Sequence, residues 1–245
     1  MTITEHLEEL RTTLIHITLI LLGTFVLTYA FGGQISEVLL GPLRGALSKL
    51  GDNSGKIVYL GLLDKVLSQL QVAFWCAILF SSPLWFFKVW QFIKPGLHAH
   101  ESKAVRPFIL VGFLLFSLGV CFGYFLVFPF TFETLLNFGV GDIEASISLK
   151  EYLVLASKAL VFLGLVFQLP NILLILGFMG VATKQSLRKQ RKYVYVAFSF
   201  VAAMLTPPDV FTMLGLWLPL AILFEVGILL VAMIVHPYLA RQHME

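Results

Sequence analysis

Residues 108–130 read FILVGFLLFSLGVCFGYFLVFPF, 23 residues without a charged side chain. An α-helix advances about 1.5 Å per residue, so this stretch reaches about 34 Å and crosses a hydrocarbon core of about 30 Å. The rest of the chain agrees with that solvent. Of 245 residues, 58% are hydrophobic and 13% charged, and the mean hydropathy is +0.90; soluble domains carry about 25% charge. The 17 Lys and Arg with 14 Asp and Glu cluster in short segments and cannot coat a globule, which excludes a disordered chain and an ordinary soluble enzyme. The net charge of +3 is small, and no basic run alternates with aromatics, so nucleic acid is excluded as a partner.

Six spans are predicted, over 14–31, 72–92, 108–130, 152–180, 193–205 and 210–235. The fold class is therefore an all-α integral membrane protein forming a single six-span membrane domain over 1–245. The fifth span offers some 13 apolar residues and then meets Thr206-Pro207-Pro208-Asp209. That reads as a short hairpin in a thinned bilayer, in preference to a re-entrant element. Lys and Arg near the span ends number eleven on one side and six on the other, which puts both termini in the cytoplasm. The outward segments, 32–71 and 131–151, are long enough to form an outer cap. The acidic N-terminal stretch MTITEHLEELRTTL lacks a signal peptide's basic region, so the first span is expected to be retained. Cys76 and Cys121 lie in apolar runs and suggest neither a disulfide nor a metal site. No internal repeat of the inverted-transporter kind is visible.

Several motifs resemble chemistry without completing it. Gly51-Asp-Asn-Ser-Gly55-Lys56 is one residue short of a phosphate loop and ends in Ile57. Gly139-Val-Gly-Asp142 spells part of an intramembrane aspartyl protease motif, yet no span supplies a second Asp. His98-Ala-His100-Glu101 is too compact to close a metal site. No cofactor, metal or catalytic set is expected, so the chain is not read as an enzyme.

Polar groups inside apolar spans matter more, since hydrocarbon tolerates them only toward a cavity or partner. Lys158 can snorkel outward. Gln168 and Asn171 flank Pro170, which is expected to kink its helix, and serve either as interhelical glue or as a cavity. Glu225 is the one carboxylate deep in a span, either protonated or paired, with Lys158 a candidate partner. Gln168, Glu225 and Lys158 together form the candidate mid-membrane polar site, which also sustains an alternative reading as a secondary transporter of a small solute. At the cytoplasmic face, HLEELR at 6–11 leads into span one and FIKPGLHAHE at 92–101 leaves span two. Acids among basic neighbours, beside Phe92 and an apolar floor, suit a ligand with a basic head and a hydrophobic tail, or else form a solvated face with a helix stop at Pro95-Gly96.

In order along the chain, HLEELR at 6–11, FIKPGLHAHE at 92–101, YFLVFPFTF at 124–132, FQLP at 167–170, LRKQRKYV at 187–194, TPPDVF at 206–211 and LFEVG at 223–227 resemble the TatC family. These are the multispanning receptor subunits of the twin-arginine, Sec-independent protein translocase. The resemblance implies a glove-like concave fold with an outer cap in a prokaryotic cytoplasmic membrane. It implies binding of paired-arginine signal peptides and export of folded cargo driven by the proton motive force. Glu9 and Glu101 would meet the arginine pair, with Phe92, Leu10, Arg11 and Pro95 in the same site. Arginine's planar fork pairs bidentately with a carboxylate where lysine does not. Thr206, Met204 and Met213 would belong to a docking surface for single-span TatA-like and TatB-like partners, alongside self-association and contact with membrane lipid. Family members often carry Gln where this chain has Met213. Pro42, Pro207, Pro208 and Asp209 would support the cap and the thin hairpin. Gln168 stands where the family uses Glu or Gln, so this chain has no ionisable group there.

Overall fold

The structure is a computed structural model that describes residues 3–49, 56–93, 105–136, 146–205 and 210–235. Among them are ten α-helices and one pair of short strands. The helices are α1 (Ile3–Ala30), α2 (Gly32–Ser48), α3 (Asp64–Phe80), α4 (Ser82–Ile93), α5 (Val105–Phe122) and α6 (Phe128–Leu136). They continue with α7 (Leu149–Val166), α8 (Leu169–Phe178), α9 (Lys184–Leu205) and α10 (Val210–Leu230). A π-helical turn, Gly123–Val127, joins α5 to α6, and a second, Val231–Val235, follows α10. Four helical stretches, Thr4–Ala30, Ile109–Leu136, Leu149–Phe178 and Thr212–Met233, are long and apolar enough to cross a membrane. The bent pair α3 and α4 supplies a fifth. These observations make the chain a helical, multi-pass membrane protein.

Span two differs from the single helix its hydropathy predicts. It breaks at Ser81 and turns through 56°, because Pro83 has no N–H and its ring crowds the carbonyl of the preceding turn. The Trp85 indole donates to the Ile78 carbonyl at 3.0 Å, and the Ser81 hydroxyl donates to Ala77, so carbonyls at the break are satisfied. Pro170 interrupts its span more gently, since Leu149–Phe178 still runs on as one helical stretch. It stands in the first turn of α8, with a break at Phe167 and Gln168 after α7. The α8 helix ends at Phe178, and the φ of +74° at Gly180 lets Gly180 and Val181 donate to the Gly177 and Leu176 carbonyls. That left-handed exit suits glycine and reverses the chain into α9.

Segments 32–71 and 131–151, expected as an outer cap, are more structured than loops. Segment 32–71 contains the helix α2, with Pro42 buried inside it. It also contains β1 (Lys56–Val58), which pairs in parallel with β2 (Ser146–Ser148), Ile57 opposite Ile147. Tyr152 and Tyr124 hold α2 from below, donating to the carbonyls of Leu39 and Val38 at 2.7 Å each. Lys150 bridges to Asp64 at 2.9 Å, and the second Asp64 oxygen accepts from the Gly61 N–H at 2.7 Å. Strands distant in sequence are thus tied to one end of the bundle.

Two apolar clusters form the core. One joins Leu39, Leu43, Val72 and Phe128 to Tyr152, Leu153 and Leu160, binding α2, α3, α6 and α7. The other joins Trp90, Leu163 and Leu174 to Phe198, Leu220, Phe224 and Ile228, binding α7 and α8 to α9 and α10. The α7–α8 stretch serves both and is the most buried span at 61%, whereas α1 is 6% buried. Leu19, Leu22, Val26 and Leu27 remain exposed along α1, as suits a helix facing hydrocarbon. α1 is pinned near its end by Thr28, whose hydroxyl donates to the Ala73 carbonyl of α3 at 2.8 Å.

Candidate functional site

The first turns of α1 and the last turn of α4 lie side by side. His6 stacks on Phe92 with ring centroids 4.6 Å apart and planes 18° from parallel. Glu9, one turn along α1, is half-buried. Its Oε2 is buried and has no hydrogen-bond partner among the described residues. A carboxylate oxygen withdrawn from water without a partner is costly and offers a ready acceptor for a cationic donor. Leu10 is half-buried and Arg11 exposed. Both line a shallow, mostly apolar trough of about 470 Å³ along α1 with Leu7, Leu14 and Leu19. The structure therefore sets the side of α1 that carries His6 and Glu9 against Phe92, while at 100° per residue the trough lies on the opposite side of α1 from Glu9. Glu101 and Pro95 lie outside the described residues, as do the GVGD and HAHE motifs.

The mid-membrane trio is not one site. Gln168, buried, donates to the Gly112 carbonyl at 2.6 Å and accepts from the Asn171 amide at 3.3 Å. It clamps α5 to the α7–α8 break. Asn171 is also buried, and its Oδ1 has no partner among the described residues. Glu225 lies on α10, bonded by the Arg191 guanidinium and by the Tyr195 hydroxyl at 2.6 Å. Lys158 is exposed on α7, where its ammonium can snorkel. No bond joins any two of Gln168, Glu225 and Lys158. The expected Lys158 partner for Glu225 is replaced by Arg191, because α9 and α10 pack together and α7 turns Lys158 outward.

Arg191 is the residue that sequence reasoning missed. Inside LRKQRKYV it reads as one more solvated cation. The available signal is helical spacing, since Leu187, Arg191, Tyr195, Phe198 and Ala202 recur every three or four residues and share the packed side of α9. The indole of Trp217 closes the group by donating to the Tyr195 carbonyl at 3.0 Å.

Of the proposed docking residues, Met204 is 85% exposed at the end of α9. Met213 is half-buried and packs on the α8–α10 core. Thr206, Pro207, Pro208 and Asp209 lie outside the described residues. α9 itself starts at Lys184, nine residues ahead of the predicted span, so a charged half precedes the apolar half. Among the described residues no three His, Cys, Asp or Glu side chains gather in a metal-binding group.

A multi-pass helical bundle with a half-buried carboxylate beside an aromatic stack is the class these features define. The family model described as Sec-independent protein translocase protein (TatC) matches residues 5–219. The chain is 36% identical over 226 residues to the Sec-independent protein translocase protein TatC of Desulforapulum autotrophicum, covering 92% of this chain and 82% of that one. Against the Escherichia coli K12 protein of the same description the identity is 31% over 223 residues, covering 91% and 85%. The crystal structure of the twin arginine translocase receptor TatC superposes with a TM-score of 0.81 at 29% identity, covering 93% of this chain and 98% of that one. The chain belongs to the TatC family.

Proposed function

We propose that this chain is the receptor and core subunit of a twin-arginine translocase, binding paired-arginine signal peptides at the cytoplasmic face of a prokaryotic inner membrane. The observation that carries this reading is Glu9, half-buried beside the His6–Phe92 stack with one oxygen unpartnered. A guanidinium fork satisfies that oxygen and its neighbour together. Phe92 lines the same site, and Glu101 takes the second arginine. A charge-assisted bond of this kind is worth about 1.5–3 kcal/mol, a tenfold or larger change in affinity.

In this reading six spans cross the membrane with both termini inside, α9 and α10 forming the short final hairpin. Met204, Met213 and Thr206 lie on the surface that receives TatA-like and TatB-like helices, while Pro42, Pro207, Pro208 and Asp209 brace the cap and hairpin. Copies associate in a larger complex. The chain works as a translocase component and not as an enzyme, and export of folded cargo draws on the proton motive force.

The test is binding of Arg-Arg and Lys-Lys signal peptides to the detergent-purified protein, repeated with Glu9→Ala and Glu101→Ala. The Arg-Arg peptide is expected to bind at least tenfold more tightly, and either substitution to erase that preference. Equal binding of both peptides would remove Glu9 and Glu101 from the site.

A further inference from the structure

We propose that the exposed face at the start of α9 binds the phosphate headgroup of an anionic phospholipid, with an acyl chain lying along Val196 and Phe200. Five cations, Lys184, Arg188, Lys189, Arg191 and Lys192, occur within the first nine residues of α9, with no carboxylate among them. Arg191 turns inward to Glu225. Arg188, Lys189 and Lys192 are exposed, and neither they nor Lys184 form an ion pair with another described residue.

As helix electrostatics the arrangement is adverse twice over. Cations near a helix start face the positive end of its dipole, where acidic residues would help, and the first turn holds none. Lys184 with Arg188, and Arg188 with Lys192, are like charges four residues apart, which repel along one side of the helix. Thr183 caps that start by accepting from the Ser186 N–H at 3.2 Å, but its hydroxyl brings no charge. An external anion relieves both penalties.

The same face specifies which anion. At 100° per residue, Arg188, Lys192, Val196 and Phe200 follow one another along one flank, each about 40° from the last. The Lys192 ammonium lies 4.9 Å from the centre of the Tyr193 ring, and tyrosine favours the headgroup boundary. Beyond it Val196 is 57% and Phe200 70% exposed. Cations, then an interfacial aromatic, then open apolar surface complement a phosphodiester carrying a hydrocarbon chain. An acidic protein segment matches the cations alone, and so does free phosphate. The inference uses no residue of the peptide site and stands independently of the receptor reading.

The experiment titrates the full-length protein, purified in neutral detergent, with phosphatidylglycerol and with phosphatidylcholine, counting retained lipid by native mass spectrometry. Phosphatidylglycerol should bind at least tenfold more tightly. The triple substitution Arg188→Gln, Lys189→Gln, Lys192→Gln should lower that affinity by roughly a hundredfold. The control Arg44→Gln, Lys49→Gln, Lys65→Gln, equal in charge removed, should keep it. Thermal melts of both variants show that the fold is intact. Equal binding of the two lipids, or an unchanged affinity in the first triple variant, overturns the proposal. So does tighter binding of a deca-glutamate peptide, or displacement of the lipid by glycerol phosphate at the same concentration.

Discussion

Glu225 and Gln168 illustrate how single residues reconcile polarity with a lipid environment. Each finds its partners within one or two neighbouring helices, and each thereby fixes a helix contact. For Glu225 the fixed contact is α9 on α10. Glu225→Gln keeps an acceptor for Tyr195 but loses the charge opposite Arg191. With both side chains more than a third exposed, the expected loss is about 1 kcal/mol, below the range for a fully buried charged bond. A thermal melt in detergent checks this. Lys158→Gln should leave the melt unchanged, and an equal fall in both variants would show that Arg191 is not the partner that matters. Glycines act at the same scale. A Cβ on Gly119 would sit 2.7 Å from the Leu163 carbonyl and 2.8 Å from the Phe167 ring, whereas one on Gly23 meets nothing within 4 Å. Gly119→Ala should therefore cost about 1–3 kcal/mol through overpacking. Gly23→Ala should be neutral by the same melt.

At the scale of elements, α9 is the distinctive helix. It has 22 residues, yet its apolar half is only about 20 Å long at the standard rise. In the receptor reading that half is a short fifth span that thins the bilayer beside it, and the thinning is what partner subunits exploit. Inserting one apolar helical turn after Ala202 should abolish export of a folded reporter while leaving signal-peptide binding intact. Preserved export would sink the thinning mechanism. The α3–α4 break works differently. It redirects α4 by 56°, which brings Phe92 against His6 and, in the receptor reading, supplies the half of the peptide site that α1 alone could not form.

For the whole molecule, the outer cap and the charged end of α9 belong on opposite sides of the membrane in the receptor reading. With Cys121→Ser as background, Ser48→Cys should react with an impermeant maleimide in intact cells. Gln190→Cys should react only after the membrane is opened. Reversed labelling would invert the topology. The cap makes a further prediction from its register. Because Ile57 stands opposite Ile147, the pair Ile57→Cys with Ile147→Cys should oxidise to a disulfide, read as a mobility shift that reductant reverses. Absence of the bond would disprove the parallel pairing.

The amino-acid order alone determined the solvent and the positions of most apolar stretches, since hydropathy is a local property that one chain displays in full. Glu9 and Phe92 were assigned to one candidate site by the family resemblance of their motifs, and the structure sets His6, one turn from Glu9, on the Phe92 ring. Tertiary structure decided what depends on approach between distant segments. It replaced Lys158 by Arg191 at Glu225, turned Gln168 into a clamp on Gly112, and folded segment 32–71 into a helix and a strand that pairs in parallel with Ser146–Ser148. Partner choice for a buried polar group follows from which helix faces meet, and helical periodicity gives a face its direction but not its neighbour.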